Sequence, residues 1–168
     1  MKVSIMNYKI KQLEKSDIKQ TIDIWNDVVI DGLAFPQTEL LNEETGLEFF
    51  NSQSFTGVAY DENSGEIVGL YILHPNNVGR CGHISNASYA VKYDKRGQHI
   101  GELLVKNCLT KAKELGFKIL QFNAVVATNT SALKLYKKLG FTQLGTIPKG
   151  FLLKDGTYVD IIPHYIEL

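Results

Sequence analysis

The sequence has little of what would place it in a special class of protein. Cysteine occurs twice, at Cys81 and Cys108, in no spacing that suits a metal or a redox pair. No apolar run approaches the roughly 18 residues needed to span a bilayer. The opening stretch MKVSIMNYKIKQLEKSD is too polar for a signal peptide. Neither charge is in excess: 18 basic residues balance 18 acidic ones, which argues against a broad nucleic-acid surface. Charge blocks, low-complexity tracts and internal repeats are missing, so nothing marks disorder or a linker. These absences lead us to expect one domain over 1–168, reduced and cytoplasmic, with no metal and no membrane or nucleic-acid partner. A chain of 168 residues can bury a sizeable core unaided.

What is present is a regular alternation of elements. Tyr8 to Gln12 reads as a first strand. Ser16 is placed to cap a helix in which Ile18, Ile22, Trp25 and Val29 recur at helical spacing, ending near Asp31-Gly32. A loop through Phe35-Pro36 leads to a short helix around Thr45 to Ser52. Thr56–Tyr60 and Glu66–Leu73 flank the turn-rich DENSG and read as a hairpin. HPNNVGRCG reads as a loop and HISNASYAV as a strand to Val91. A helix from about Ile100 to Leu115, closed by Gly116, lines up Leu104, Cys108, Ala112 and Leu115. KILQFNAVVATN is apolar enough for a buried central strand. A helix over Thr130–Leu139 follows, then strand-like runs at Phe141–Ile147, Phe151–Leu153 and Thr157–Glu167. The fold class is α/β (α+β mixed), with an antiparallel N-terminal part and one strand-helix-strand unit near the middle.

The segment VKYDKRGQHIGELL gathers Lys95, Arg96, Gly97 and Gly101 at the front of a helix. A helix start presents unpaired N–H groups and a partial positive charge, which suits an anion such as a phosphate. A solvated turn before an ordinary helix is the plainer reading of the glycines alone. A P-loop is excluded because GxxxxGK[ST] does not occur. A dinucleotide fingerprint is excluded by the glycine spacing and by Gln121 where an acidic residue is wanted.

Arg96-Gly97-Gln98-His99-Ile100-Gly101 resembles the central motif of the GCN5-related N-acetyltransferases: Arg or Gln, two variable residues, Gly, one more, then Gly or Ala. About 30 residues later NTSALKLYKKLGF matches a second signature of that family at Asn129, Ala132, Tyr136, Leu139, Gly140 and Phe141. IWNDVVIDGLAFPQTE and NASYAV are similar to the phosphinothricin acetyltransferase-like subgroup. The resemblance implies a mostly antiparallel mixed sheet of six to seven strands, splayed at its centre and flanked by about four helices. Acetyl-coenzyme A would lie in the splay. Its pyrophosphate would meet the amides of Gln98, His99, Ile100, Gly101 and Glu102, beside Arg96 and Gly97. Its pantetheine arm would pair with Tyr89, Ala90 and Val91 like an added strand, with Asn129 bonding an amide of that arm. Tyr136 would be the general acid near the sulfur. His99 departs from the pattern, standing where the family usually keeps glycine. Either the position needs a positive φ, at a cost of roughly 1–2 kcal/mol for a side chain, or it is an ordinary helical turn with the imidazole in water.

Asn86 and Asn123 each interrupt an apolar strand, where a buried amide needs a partner. Their amides either hold a small polar acceptor or bond each other in the core. By subgroup similarity Phe35, with Pro36 and Gln37, forms the acceptor wall. No base stands out: His74 and His83 read more readily as surface or core residues, and a water chain would serve. The expected function is transfer of acetyl to the amine of a small molecule, an amino acid or analogue, by direct attack in a ternary complex. The rival readings are a protein or peptide acceptor and a non-catalytic acyl-coenzyme A sensor. Phe151, Tyr158 and Tyr165 would suit either a homodimer edge or burial within one chain.

Overall fold

A computed structural model of the chain describes residues 7–168. Residues 1–6, on which part of the signal-peptide reading rests, lie outside the described residues. The order is β1 (Tyr8–Gln12), α1 (Ile18–Asp31), α2 (Glu43–Asn51), β2 (Phe55–Asp61), β3 (Ile67–Pro75), β4 (Ile84–Val91), α3 (Ile100–Glu114), β5 (Ile119–Val126), α4 (Thr130–Lys138), β6 (Thr142–Gln143), β7 (Ile147–Leu152) and β8 (Tyr158–Glu167). The strands form one sheet in the order β1-β2-β3-β4-β5-β8-β6, with β7 also on β8. Every pairing is antiparallel except β4 with β5, the two strands that α3 connects.

That parallel pair is short. Only Ile84 with Ile119 and Ser85 with Leu120 are in register, and the Ser85 hydroxyl donates to the Ile119 carbonyl at 2.8 Å. β4 keeps its other neighbour along its whole length, from Ser85 opposite Pro75 to Val91 opposite Gly69. Past Ser85, one edge of β4 therefore has no strand partner, and the sheet opens into a wedge.

Alternation along β3 assigns the two faces. Leu70 and Ile72 pack with Ile18, Ile22, Trp25 and Val29 of α1. Tyr71 and Leu73 pack with Leu104, Cys108 and Ala112 of α3. Gly69 lets α3 come close: a Cβ there would meet the Ala90 carbonyl oxygen at 3.0 Å and the side chains of Leu104 and Ile100 at 3.1 and 3.2 Å. The missing side chain thus seats the first turns of α3 directly against β3.

Two details differ from the sequence expectation. Ser16 does not cap α1. It lies inside a 3-10 turn, Lys15–Asp17, that runs into the helix, and the Asp17 carboxylate accepts the Glu14 N–H at 3.1 Å. The run expected as one strand over Phe141–Ile147 is broken, because Gly145 takes φ 129° between β6 and β7. A positive φ recurs at Lys149 (55°), beside a register irregularity between Ile147 and Phe151, so β7 starts earlier than expected and carries a bulge. Phe151 is buried with Val126 and Ile161, whereas Tyr158 is exposed and Tyr165 half-buried.

Candidate active site

The turn before α3 has the backbone its residues call for. Gly97 and His99 both sit in the left-handed region, at φ 78° and 62°. The first main-chain bond of α3 runs from the Leu103 N–H to the His99 carbonyl at 3.1 Å, which leaves the preceding amides without helical partners. Position 99 thus needs the backbone that glycine gives freely, while its side chain is 86% exposed, 4.0 Å from the Glu102 carboxylate. Glu102 itself ties α3 to α4, pairing with Lys106 at 2.8 Å and Lys138 at 2.7 Å, and these cations hold its pKa down at about 2. Arg96 lies over the Tyr93 ring and 3.8 Å from Asp31 at the end of α1. Lys95 pairs with Glu66 at 3.4 Å.

This turn opens into a cavity of about 790 Å³, between the free edge of β4 and the start of α4. Tyr89, Ala90, Val91, Arg96, Gly97 and His99 line it. So do Ile100, Gly101, Glu102, Asn129 and Tyr136. Gln98 does not; its side chain turns away to accept a hydrogen bond from the Tyr8 hydroxyl. Asn129 caps α4, its Oδ1 accepting the Ala132 N–H at 3.3 Å, so its NH₂ is the end left for a ligand.

A second cavity of about 590 Å³ lies on the other side of the wedge. Ala34, Tyr89, Asn129, Ala132 and Tyr136 belong to both linings, so the two spaces meet there. Tyr136 is 9% exposed and packs on Phe122, Phe141 and His164 at ring distances of 4.5, 5.3 and 5.7 Å. Burial pushes its phenol above the ordinary value, so it is protonated at neutral pH. The second cavity is walled by Phe35, Pro36 and Gln37 on one side and by Asn86 and Asn123 on the other. Phe35 is fixed against Trp25 at 4.5 Å. Beyond Gln37 the same loop is fastened by Asn26, whose side chain bonds the Leu41 carbonyl at 2.8 Å and N–H at 2.9 Å.

With this geometry in view, the relatives can be named. A family model described as acetyltransferase (GNAT) family matches residues 22–141. The chain belongs to that family. It is 38% identical over 95 residues, 56% of its length, to N-acetyltransferase aca1 of Schizosaccharomyces pombe. That match spans less than half of aca1, 46% of its length. It is 27% identical over 157 residues to the phosphinothricin acetyltransferase-like YwnH of Bacillus subtilis, covering 90% of this chain and 94% of YwnH. A solved GCN5-related N-acetyltransferase from Kribbella flavida superposes with a TM-score of 0.87 at 30% identity, covering 96% of this chain and 98% of that one.

Within this GNAT chain, a third carboxamide joins Asn86 and Asn123. Asn86 and Asn123 do not bond each other. Asn76, in the loop after β3, accepts from both, at 3.4 Å from Asn86 and 2.7 Å from Asn123, while Asn123 accepts from Gln121 at 3.0 Å. Asn76 gave no signal because HPNN reads simply as a turn. His74 lines the second cavity, opposite Asn86 across the strands; His83 does not line it. The His74 Nδ1 lies 2.9 Å from the Pro75 carbonyl, so Nδ1–H donates and Nε2 is the free acceptor. Cys108 is fully buried with its thiol pushed up to about 12, which disqualifies it as a nucleophile.

Proposed function

We propose that this GNAT enzyme transfers acetyl from acetyl-coenzyme A to the amine of a small molecule, an amino acid or analogue, by direct attack in a ternary complex. The observation that carries the reading is the position of Tyr136 where a strand-edged cavity and a separate acceptor cavity meet. The first cavity suits the donor. Free amides and Arg96 at one end match a diphosphate. The unpaired edge of β4 from Tyr89 to Val91 matches a peptide-like arm, which can add as a strand. The donor supplies an acyl group activated as a thioester. The chain's residues do the rest.

Backbone N–H groups near Val91 would stabilise charge on the thioester oxygen. The amine nitrogen bonds to the carbonyl carbon, the carbon–sulfur bond breaks, and the sulfur takes the Tyr136 proton. Burial makes the Tyr136 phenol a weaker acid, and the same desolvation would make a thiolate beside it a stronger base. The amine's proton leaves to His74 Nε2 or to water. The acceptor cavity has the volume of a small-molecule site. The exposed apolar residues Leu144, Ile147, Leu152 and Tyr158 support a homodimer along the last strands, and the proposed compartment is the cytoplasm. The test is thermal shift with acetyl-coenzyme A, followed by thiol release over a panel of amines. We expect binding and amine-dependent release; binding without release on any amine would make the protein a sensor.

A further inference from the structure

The acceptor cavity shows which acceptors it takes, and this inference rests on the function proposed above. Among the described residues that line it, none is Asp, Glu, Lys or Arg. An ordinary amino acid brings a carboxylate, and a carboxylate taken from water without a cationic partner is strongly disfavoured. Among the polar groups in the lining are the carboxamides of Gln37, Gln53, Asn86, Asn123 and Asn129. The Gln37 Oε1 is buried and has no hydrogen-bond partner. The loop around it is pinned on Trp25 and Asn26, so Gln37 is held in place rather than lying loose on the surface. On the facing wall the network has a direction: Gln121 donates to Asn123, and Asn123 and Asn86 both donate to the Asn76 oxygen. That ties one N–H of Asn86 to Asn76 and leaves its Oδ1 without a donor among the described residues.

Two carbonyl oxygens thus look for donors. A buried acceptor left unpaired costs roughly 1–3 kcal/mol, and native proteins seldom tolerate one without a reason. A ligand N–H or O–H would satisfy it. A carboxylate would set oxygen against oxygen at Gln37, with no Lys or Arg in the lining to compensate. We propose that the acceptor is an amine whose non-reacting polar group is an uncharged hydrogen-bond donor, a primary amide or a hydroxyl, and that Gln37 is the residue that selects it.

The experiment uses the full chain with acetyl-coenzyme A and matched triplets of probes: phenylalanine, phenylalaninamide and phenylalaninol, with the leucine set beside them. The alcohols guard against a trivial cause, because their amines are about as basic as those of the acids, while amides are less basic. We expect kcat/KM for both amide and alcohol to exceed that of the acid by about tenfold or more. Gln37→Leu should erase the preference by raising KM for the uncharged probes, with kcat within about twofold. Gln37→Arg should move the preference toward the acid. An acetyl-coenzyme A melting shift in each variant confirms that it is folded. Equal or better use of the acids, or a preference that survives Gln37→Leu, overturns this inference and leaves the enzyme reading intact. Binding of acetyl-coenzyme A with no thiol release from any probe sinks both.

Discussion

The imidazole of His164 stands edge-on to the ring of Tyr136, centroids 5.7 Å apart, and is itself only 1% exposed. Its Nδ1–H donates to the Ile162 carbonyl at 2.7 Å, so Nε2 is the bare nitrogen, buried without a partner. Burial lowers its pKa. The unfolded chain takes up a proton near pH 6.5, but the folded chain resists it. Stability should therefore be level above that pH and fall below it, by at most about 1.4 kcal/mol per pH unit. Urea titrations between pH 7.5 and 5.5 should show this slope in the parent and a flatter one in His164→Phe. Equal slopes would show that His164 is not the group responsible.

Tyr136→Phe removes a hydroxyl that has no hydrogen bond among the described residues. Folding should be nearly unaffected. General-acid assistance is worth about 10²- to 10⁴-fold, so kcat should fall by that order while KM for acetyl-coenzyme A stays within about twofold. Steady-state kinetics checks it, and an unchanged kcat would remove Tyr136 from the chemistry.

His99→Gly should raise stability. Holding a side chain in the left-handed region costs roughly 1–2 kcal/mol, and the looser unfolded chain of a glycine variant gives back about 0.4–1 kcal/mol. The net gain is about 0.5–1 kcal/mol, readable as a higher Tm. With the imidazole 86% exposed, affinity for acetyl-coenzyme A should not change between pH 6 and 8. A pH-dependent loss of affinity would instead give the imidazole a part in phosphate binding.

Asn76→Ala cuts the link that Asn86 and Asn123 share. The acceptor wall should loosen while the donor cavity is untouched. We expect KM for the amine to rise by several-fold to about tenfold, with no change in the melting shift given by acetyl-coenzyme A. An unaltered amine KM would mean that this network does not shape the acceptor site.

The turn and the helix cap that line the first cavity were legible in the sequence because they depend on local backbone. A glycine-bearing turn before a helix, and an Asn that caps the next helix, are written in consecutive residues, and the structure brings Gly97 to Asn129 around one cavity. The Gln98 side chain, by contrast, bonds Tyr8 on a distant strand, a contact that consecutive residues do not show. The acceptor half was harder to read because it depends on tertiary neighbours. Asn76 looks like any turn residue until two strands bring Asn86 and Asn123 to it. Gln37 matters for the partner its oxygen lacks, and pattern alone cannot reveal that. His164 sits in an apolar run and reads as filler until Tyr136 is found against it. The break at Gly145 was missed because the strand-like run carries on across it, and the gap expected between Ile147 and Phe151 is a bulge within β7.

The parting of β4 from β5 after only two paired residues has a consequence for inhibition. The two cavities share Ala34, Tyr89, Asn129, Ala132 and Tyr136 in their linings, so on the proposed function donor and acceptor would meet there. A conjugate in which a short bridge joins coenzyme A sulfur to an amide-bearing head would then fill both spaces at once. Its selectivity among related enzymes would come from the head alone.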